Sequence, residues 1–189
     1  MFSSLVSKDI DYKLFLLGLF FLPSAPSISI LFFIFPLIYG LIKNFEKIIR
    51  DKFNYFLLFA LITLLISSFI TSTFLINRVE GWDPFLNWIG LGNWIPLFFL
   101  YLSFQFFLQS SEQRKTASKF LIMGTVPVIF SCLSQQYLDW YGPYKILNGL
   151  IIWFQRPIID IHQPITGLFN NPNYTGAWLS MIWPFSMAF

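Results

Sequence analysis

Charge is scarce in this chain: Asp, Glu, Lys and Arg together make up 11% of its 189 residues, where a soluble domain carries about a quarter. An ordinary soluble domain is thereby excluded. Cysteine occurs once, as Cys132 within an apolar stretch, which rules out an intramolecular disulfide, a thiolate metal cluster and a redox pair. Histidine also occurs once, at His162, so a metal centre built on converging imidazoles lacks ligands. No Gly-x-Ser-x-Gly element marks a hydrolase nucleophile, and no Walker loop marks a nucleotide phosphate site. Internal repeats and low-complexity tracts are missing too. The expectation is a protein with no metal and no cofactor.

What is present is apolar: 56% of residues are hydrophobic and 21% aromatic. Four long gaps carry no charge: 29 residues between Lys13 and Lys43, 25 between Lys52 and Arg78, 28 between Asp83 and Glu112, and 19 between Lys119 and Asp139. Most reach the roughly 20 residues that a helix needs to cross a bilayer. The composition therefore predicts an all-α, polytopic transmembrane bundle forming a single integral membrane domain over residues 1–189. The net charge of +3 and isoelectric point near 9.0 do not argue for nucleic acid, because the basic residues stand in short runs between apolar stretches, as membrane topology requires. The charged connections at residues 43–52 and 109–119 are too short to form a nucleotide-binding module.

Six segments are predicted to meet the membrane, at about residues 14–24, 27–42, 54–76, 88–108, 120–138 and 172–189. Residues 14–42 form either one kinked helix of about 43 Å or two short passes that turn at Pro23-Ser-Ala-Pro26. Two passes from a cytoplasmic N-terminus put nine of the twelve basic residues inside and leave only Arg78, Lys145 and Arg156 outside. A single pass gives seven against five, so the positive-inside rule favours two. A cleaved signal peptide is the rival reading of the N-terminus, but Pro23 and Pro26 spoil a small-residue cleavage site around Ala25. Ser67, Ser68, Thr71, Ser72 and Thr73 form a hydroxyl-rich face on the third segment, best read as a helix-packing face. Trp82, Trp88, Trp94, Trp140 and Trp153 read as interfacial anchors rather than sugar platforms. Residues 146–154 are too few to span and predict a helix or extended piece lying in the outer interface.

One polar cluster falls on the outer side: Arg156, Asp160, His162, Gln163, Thr166, Asn170, Asn171 and Asn173. Arg156 offers a permanently charged fork suited to phosphate oxygens. Asn171 suits an N-cap and Pro172 the first helical position, so a helix starting there would turn its free amides and positive dipole end to the same face. Together these groups could hold a diphosphate. The plainer alternative is that Arg156 pairs with Asp160 and the asparagines merely cap and turn the chain. His162 is more simply a solvated loop side chain than a general base.

The run Gly167-Leu-Phe-Asn-Asn-Pro-Asn-Tyr-Thr-Gly176 resembles the G-x-F-x-N-P-N-x-x-(A/G) signature of the O-antigen ligase and polymerase family. Gly81-Trp-Asp-Pro-Phe-Leu-Asn-Trp88 is similar to a pattern that recurs before a span in cyanobacterial-type members. The resemblance implies a glycosyltransferase of the bacterial inner membrane. It would take a glycan from an undecaprenyl diphosphate carrier on the outer face, with membrane lipids around it and neither nucleotide nor essential metal. It also implies Arg156 as a diphosphate-binding residue and Gly167, Asn171, Pro172 and Asn173 as the motif at a helix start. Family members are about double this length, and their further arginine and catalytic histidine lie beyond the equivalent of Phe189, a histidine that His162 does not match. The chain is thus expected to correspond to the N-terminal half of the family fold, with no catalytic residue of its own and with a second polypeptide as a possible source of the rest. The alternative functions are a small-ion or bicarbonate transporter, with Pro96 and Pro127 breaking helices around a site, and a non-catalytic remnant.

Overall fold

A computed structural model describes residues 2–74, 83, 85–159 and 163–187. Among these residues six α-helices and one short hairpin follow in order: α1 (Phe2–Phe21), α2 (Pro26–Arg50), α3 (Lys52–Phe74), α4 (Phe85–Phe104, continued by a 3-10 turn at Gln105–Phe107), α5 (Ser111–Tyr137), β1 (Tyr144–Ile146), β2 (Ile151–Trp153) and α6 (Pro172–Met187). The protein is an all-α bundle. Among the described residues, four helices are long and apolar enough to cross a membrane: α2, α3, α4 with its 3-10 turn, and α5. The other two expected spans fall short for separate reasons. α1 carries charge as far as Lys13, leaving eight apolar residues, about 12 Å of helix. The described part of α6 has 16 residues, about 24 Å, against a hydrocarbon core of about 30 Å.

The chain folds as two compact units, residues 1–36 with 108–189, and residues 37–107. In the first, α1 ends at Phe21 because Pro23 supplies no amide, and α2 restarts with Pro26 in the first-turn position where none is needed. The predicted two-pass break is thus a helical hairpin. Gly18 lies in the last turn of α1, where carbonyls have no helical partner, and the buried Ser29 hydroxyl donates to its oxygen at 2.7 Å. Phe15 packs on Phe33, and Phe21 stacks on Phe32. α5 runs parallel to α1: the Tyr12 hydroxyl donates to the Gln113 carbonyl near one end, and Gly124 meets the Phe20 backbone near the other. A Cβ on Gly124 would lie 2.1 Å from the Phe20 carbonyl oxygen, so only glycine permits this approach. α6 returns antiparallel along α5, with the Trp178 indole donating to Thr125 Oγ1 at 3.1 Å.

α5 starts earlier than the apolar pattern suggests. Ser110 and Gln113 form a reciprocal capping box, each side chain bonding the other's backbone amide at 3.0–3.1 Å, which satisfies two first-turn donors at once.

In the second unit, α2 continues as helix through the basic residues to Arg50, so the connection expected at 43–52 is helical and only Asp51 interrupts it. Asp51 caps α3 by accepting from the Phe53 amide at 3.0 Å. α3 and α4 pack along an inward stripe that includes Ser68, Thr71 and the buried Ser72, whereas Ser67 and Thr73 are exposed. The expected packing face therefore contains three of the five hydroxyls. Ser72 and Thr73 return their protons to carbonyls of their own helix, Phe69 and Ile70. Buried Asn54 ties the unit together by donating to Ile48 O and accepting from Gln105 Nε2 at 3.0 Å.

Candidate functional site

The polar chemistry of the first unit gathers at the C-terminal end of α5. Its inward face there is Val128, Ser131, Ser134 and Gln135, all buried. Where a helix or an extended piece is expected at residues 146–154, residues 144–153 form an antiparallel hairpin with Tyr144 opposite Trp153 and Ile146 opposite Ile151. The Gly142 amide donates to Gln155 O, the Phe154 amide to Leu168 O and the Gln155 amide to Gly167 O. The hairpin is thereby lengthened and bonded to the segment that leads into α6. Trp153 does more than anchor: its indole donates to Ser24 O at 2.8 Å, fixing the hairpin to the α1–α2 turn.

Gln135 holds this layer together. Its amide nitrogen donates to Arg156 O at 2.6 Å and Thr166 Oγ1 at 3.1 Å, and its oxygen accepts from the Thr166 amide at 3.1 Å and the Gly167 amide at 2.8 Å. All four bonding positions of a side-chain amide are thus in use. Thr166 Oγ1 also accepts from the Arg156 amide at 3.1 Å, and the Thr175 hydroxyl donates to Thr166 O. Gln155 sits at φ +28°, a left-handed conformation that a side chain disfavours by about 1–2 kcal/mol. Backbone bonds on both sides and a 3.2 Å bond from its side chain to Ser134 Oγ hold it there.

The expected site residues occupy defined places in this layer. Arg156 has its backbone amide and carbonyl both clamped while its side chain is exposed, making no ion pair or hydrogen bond with a described residue. Gly167 stands at φ +53°, where a Cβ would meet Cys132 Sγ at 2.7 Å; conformation and contact both require glycine. Asn171 Oδ1 accepts from the Asn173 amide at 2.8 Å, and Pro172 opens α6. The expected free amides are missing there, because the Tyr174 and Thr175 amides both donate to Asn171 O. With every first-turn donor engaged, anion binding at this end would fall to side chains. Gln163 Oε1 accepts from the Ile159 amide, and Asn170 is exposed. Asp160 and His162, like Gly81, Trp82 and Pro84 of the Gly81–Trp88 pattern, lie outside the described residues. Gln135, Gln155 and the indole bond of Trp153 went unseen in the sequence, where each reads as an interfacial polar or aromatic residue.

Among the described residues, no group of three or more His, Cys, Asp or Glu side chains could hold a metal ion. Asp139 accepts the Tyr141 hydroxyl at 2.8 Å, and that bond holds the phenol's ionisation above its ordinary range.

Four helices long and apolar enough to cross a membrane, among the described residues, mark a helical membrane protein. Compared with protein-family models, with curated proteins and with solved structures, the chain gives no match.

Proposed function

We propose that the protein handles a lipid-linked glycan at the outer face of the bacterial inner membrane, and that Arg156 meets the diphosphate of an undecaprenyl-type carrier in a ligase- or polymerase-like glycosyl transfer. The observation that carries this reading is the double clamp on Arg156. Gln135 and Thr166 fix the backbone on which stands a guanidinium that pairs with none of the described residues, and the same Gln135 bonds the segment four residues before the Asn171 cap. A preset backbone lowers the ordering cost of a bidentate arginine–phosphate contact. The resemblance of residues 167–176 to the family signature points the same way. So does charge: α1 and α5 begin at a common end with Lys13, Arg114, Lys115 and Lys119, opposite the Arg156 layer. By the positive-inside rule that common end is cytoplasmic. Pro96 and Pro127 lie within unbroken helices, so neither forms the broken helix that the transporter reading invoked.

The test is binding of a short-chain polyprenyl diphosphate to the purified protein. Hydrogen bonds to charged groups contribute about 1.5–3 kcal/mol, so Arg156→Ala is expected to weaken binding by about tenfold to a hundredfold, with Arg156→Lys in between. Equal affinity in wild type and Arg156→Ala would remove Arg156 from the site.

A further inference from the structure

A second feature of the same layer stands apart from Arg156 and from the carrier reading. Between the end of α5 and the hairpin lies a cavity of about 300 Å³, walled by Phe130, Trp140, Tyr144 and Trp153 and bordered by Ser131 and Lys145. The aromatic wall is ordered: Phe130 meets Trp140 edge to face at 6.1 Å, and Trp140 meets Tyr144 at 5.8 Å. Ser134 and Gln155 also line it, but they bond each other. Ser131 is different. It is 2% exposed, and its hydroxyl has no hydrogen-bond partner among the described residues, in a layer where neighbouring buried side chains are bonded. A buried hydroxyl without a partner is costly and marks a place where a ligand oxygen is wanted. Lys145 supplies the second demand: it is exposed at the cavity edge and forms no ion pair with a described residue.

We infer that this cavity binds the head-proximal part of one anionic glycerophospholipid, with its phosphate on Lys145, an ester oxygen on the Ser131 hydroxyl and the start of an acyl chain across Phe130 and Trp140. The cavity adjoins an apolar face suited to such a chain. Val126, Ile129, Phe130 and Leu133 form an exposed apolar stripe on α5, spaced as one helix face, and lead from the spanning part of the helix to the cavity. Depth matches chemistry as well. Along a phospholipid the order from water to hydrocarbon is phosphate, ester, chain, and here an exposed lysine, a buried hydroxyl and an aromatic wall offer the matching partners. A pyranose fits less well, since it would bury several hydroxyls against a mainly aromatic wall with one uncommitted hydroxyl. The volume lies at the lower end of ligand sites, about 300–1,000 Å³, which suits a headgroup-proximal segment rather than a whole lipid.

Native mass spectrometry of the detergent-purified protein tests this with three probes: phosphatidylglycerol, phosphatidylcholine of the same chains, and a prenyl monophosphate. Expected is a one-to-one phosphatidylglycerol adduct about tenfold tighter than the phosphatidylcholine adduct, weakened about tenfold by Lys145→Gln and by Ser131→Ala. Neither variant removes a contact the fold uses, and an unchanged thermal transition without lipid verifies this. Equal retention of the anionic and zwitterionic lipids, or retention unaltered in both variants, would overturn the site. A tighter complex with the prenyl phosphate than with phosphatidylglycerol would overturn the phospholipid assignment. Because Arg156 takes no part, loss of the carrier reading leaves this outcome untouched.

Discussion

Gln135→Leu would strip the layer at the end of α5 of four hydrogen bonds while keeping a side chain of similar size. Thr166 Oγ1 would retain the Arg156 amide as a donor, and Arg156 O lies beside an exposed residue where water can replace the lost partner. The Thr166 and Gly167 amides have no such alternative, since both residues are buried. Two orphaned buried amides cost about 1–3 kcal/mol each, and leucine's extra apolar burial returns about 1 kcal/mol, leaving a net loss of about 1–5 kcal/mol. At 1.4 kcal/mol per factor of ten, the segment would open about fivefold to several thousandfold more often. Hydrogen exchange read by mass spectrometry on a peptide covering residues 164–169 should accelerate by that factor. Gln136→Leu, at the exposed neighbouring position, should leave it unchanged. Acceleration below about threefold in Gln135→Leu, or an equal effect in both variants, would refute the claim that Gln135 holds the layer together.

Gly124→Ala places a methyl on the Phe20 carbonyl and forces α1 from α5, so the thermal transition followed by tryptophan fluorescence should fall by the equivalent of about 1–3 kcal/mol; an unaltered transition would refute the close approach. Asn171→Ala removes the α6 cap at about 1 kcal/mol, while Asn171→Asp keeps an acceptor. Faster exchange of the Asn173 amide in the first variant alone is the expected result. Asp139→Asn removes the carboxylate that holds the Tyr141 proton, so the phenol should ionise at lower pH than in wild type. A ring-carbon NMR titration of Tyr141 that stays put would contradict this.

Much of the fold was legible because its causes are local. Pro23 and Pro26 end one helix and begin the next by their lack of an amide, and Asn171 followed by Pro172 marks a helix start by chemistry confined to two residues. Ser110 and Gln113 were legible in the same way, as a Ser-x-x-Gln capping box, but the span was placed by hydropathy and so began too late. Charge misled at residues 43–52, since lysine and glutamate are good helix formers and polarity alone does not break a helix. Gln135 is a different case. Its partners lie 21 to 32 residues further along the chain, and no local pattern tells a glutamine that bonds distant amides from one facing headgroups. Trp153 looks like an anchor for the same reason, because its bond to Ser24 O crosses 129 residues. The cavity was out of reach altogether, being made by the hairpin's fold over α5.

Three polar groups at this end of the first unit pair with none of the described residues and border the two proposed sites: the Arg156 guanidinium, the Lys145 ammonium and the Ser131 hydroxyl. A network as saturated as the one around Gln135 cannot reshape itself cheaply to meet a ligand, so these three set what the layer can bind. The two proposed ligands both carry phosphate on hydrocarbon, which makes cross-reading of the variants decisive. If the sites are separate, Arg156→Ala weakens polyprenyl diphosphate about tenfold or more and leaves phosphatidylglycerol unchanged, and Lys145→Gln does the reverse. Combined, the two substitutions should then act additively on either ligand, within about 0.5 kcal/mol, as independent positions do. If instead Lys145→Gln weakens the diphosphate as much as Arg156→Ala does, and the double variant falls short of the sum, both cations serve one ligand. The aromatic cavity would then be the seat of the carrier's first prenyl units, and the phospholipid proposal would fall while the diphosphate reading stood.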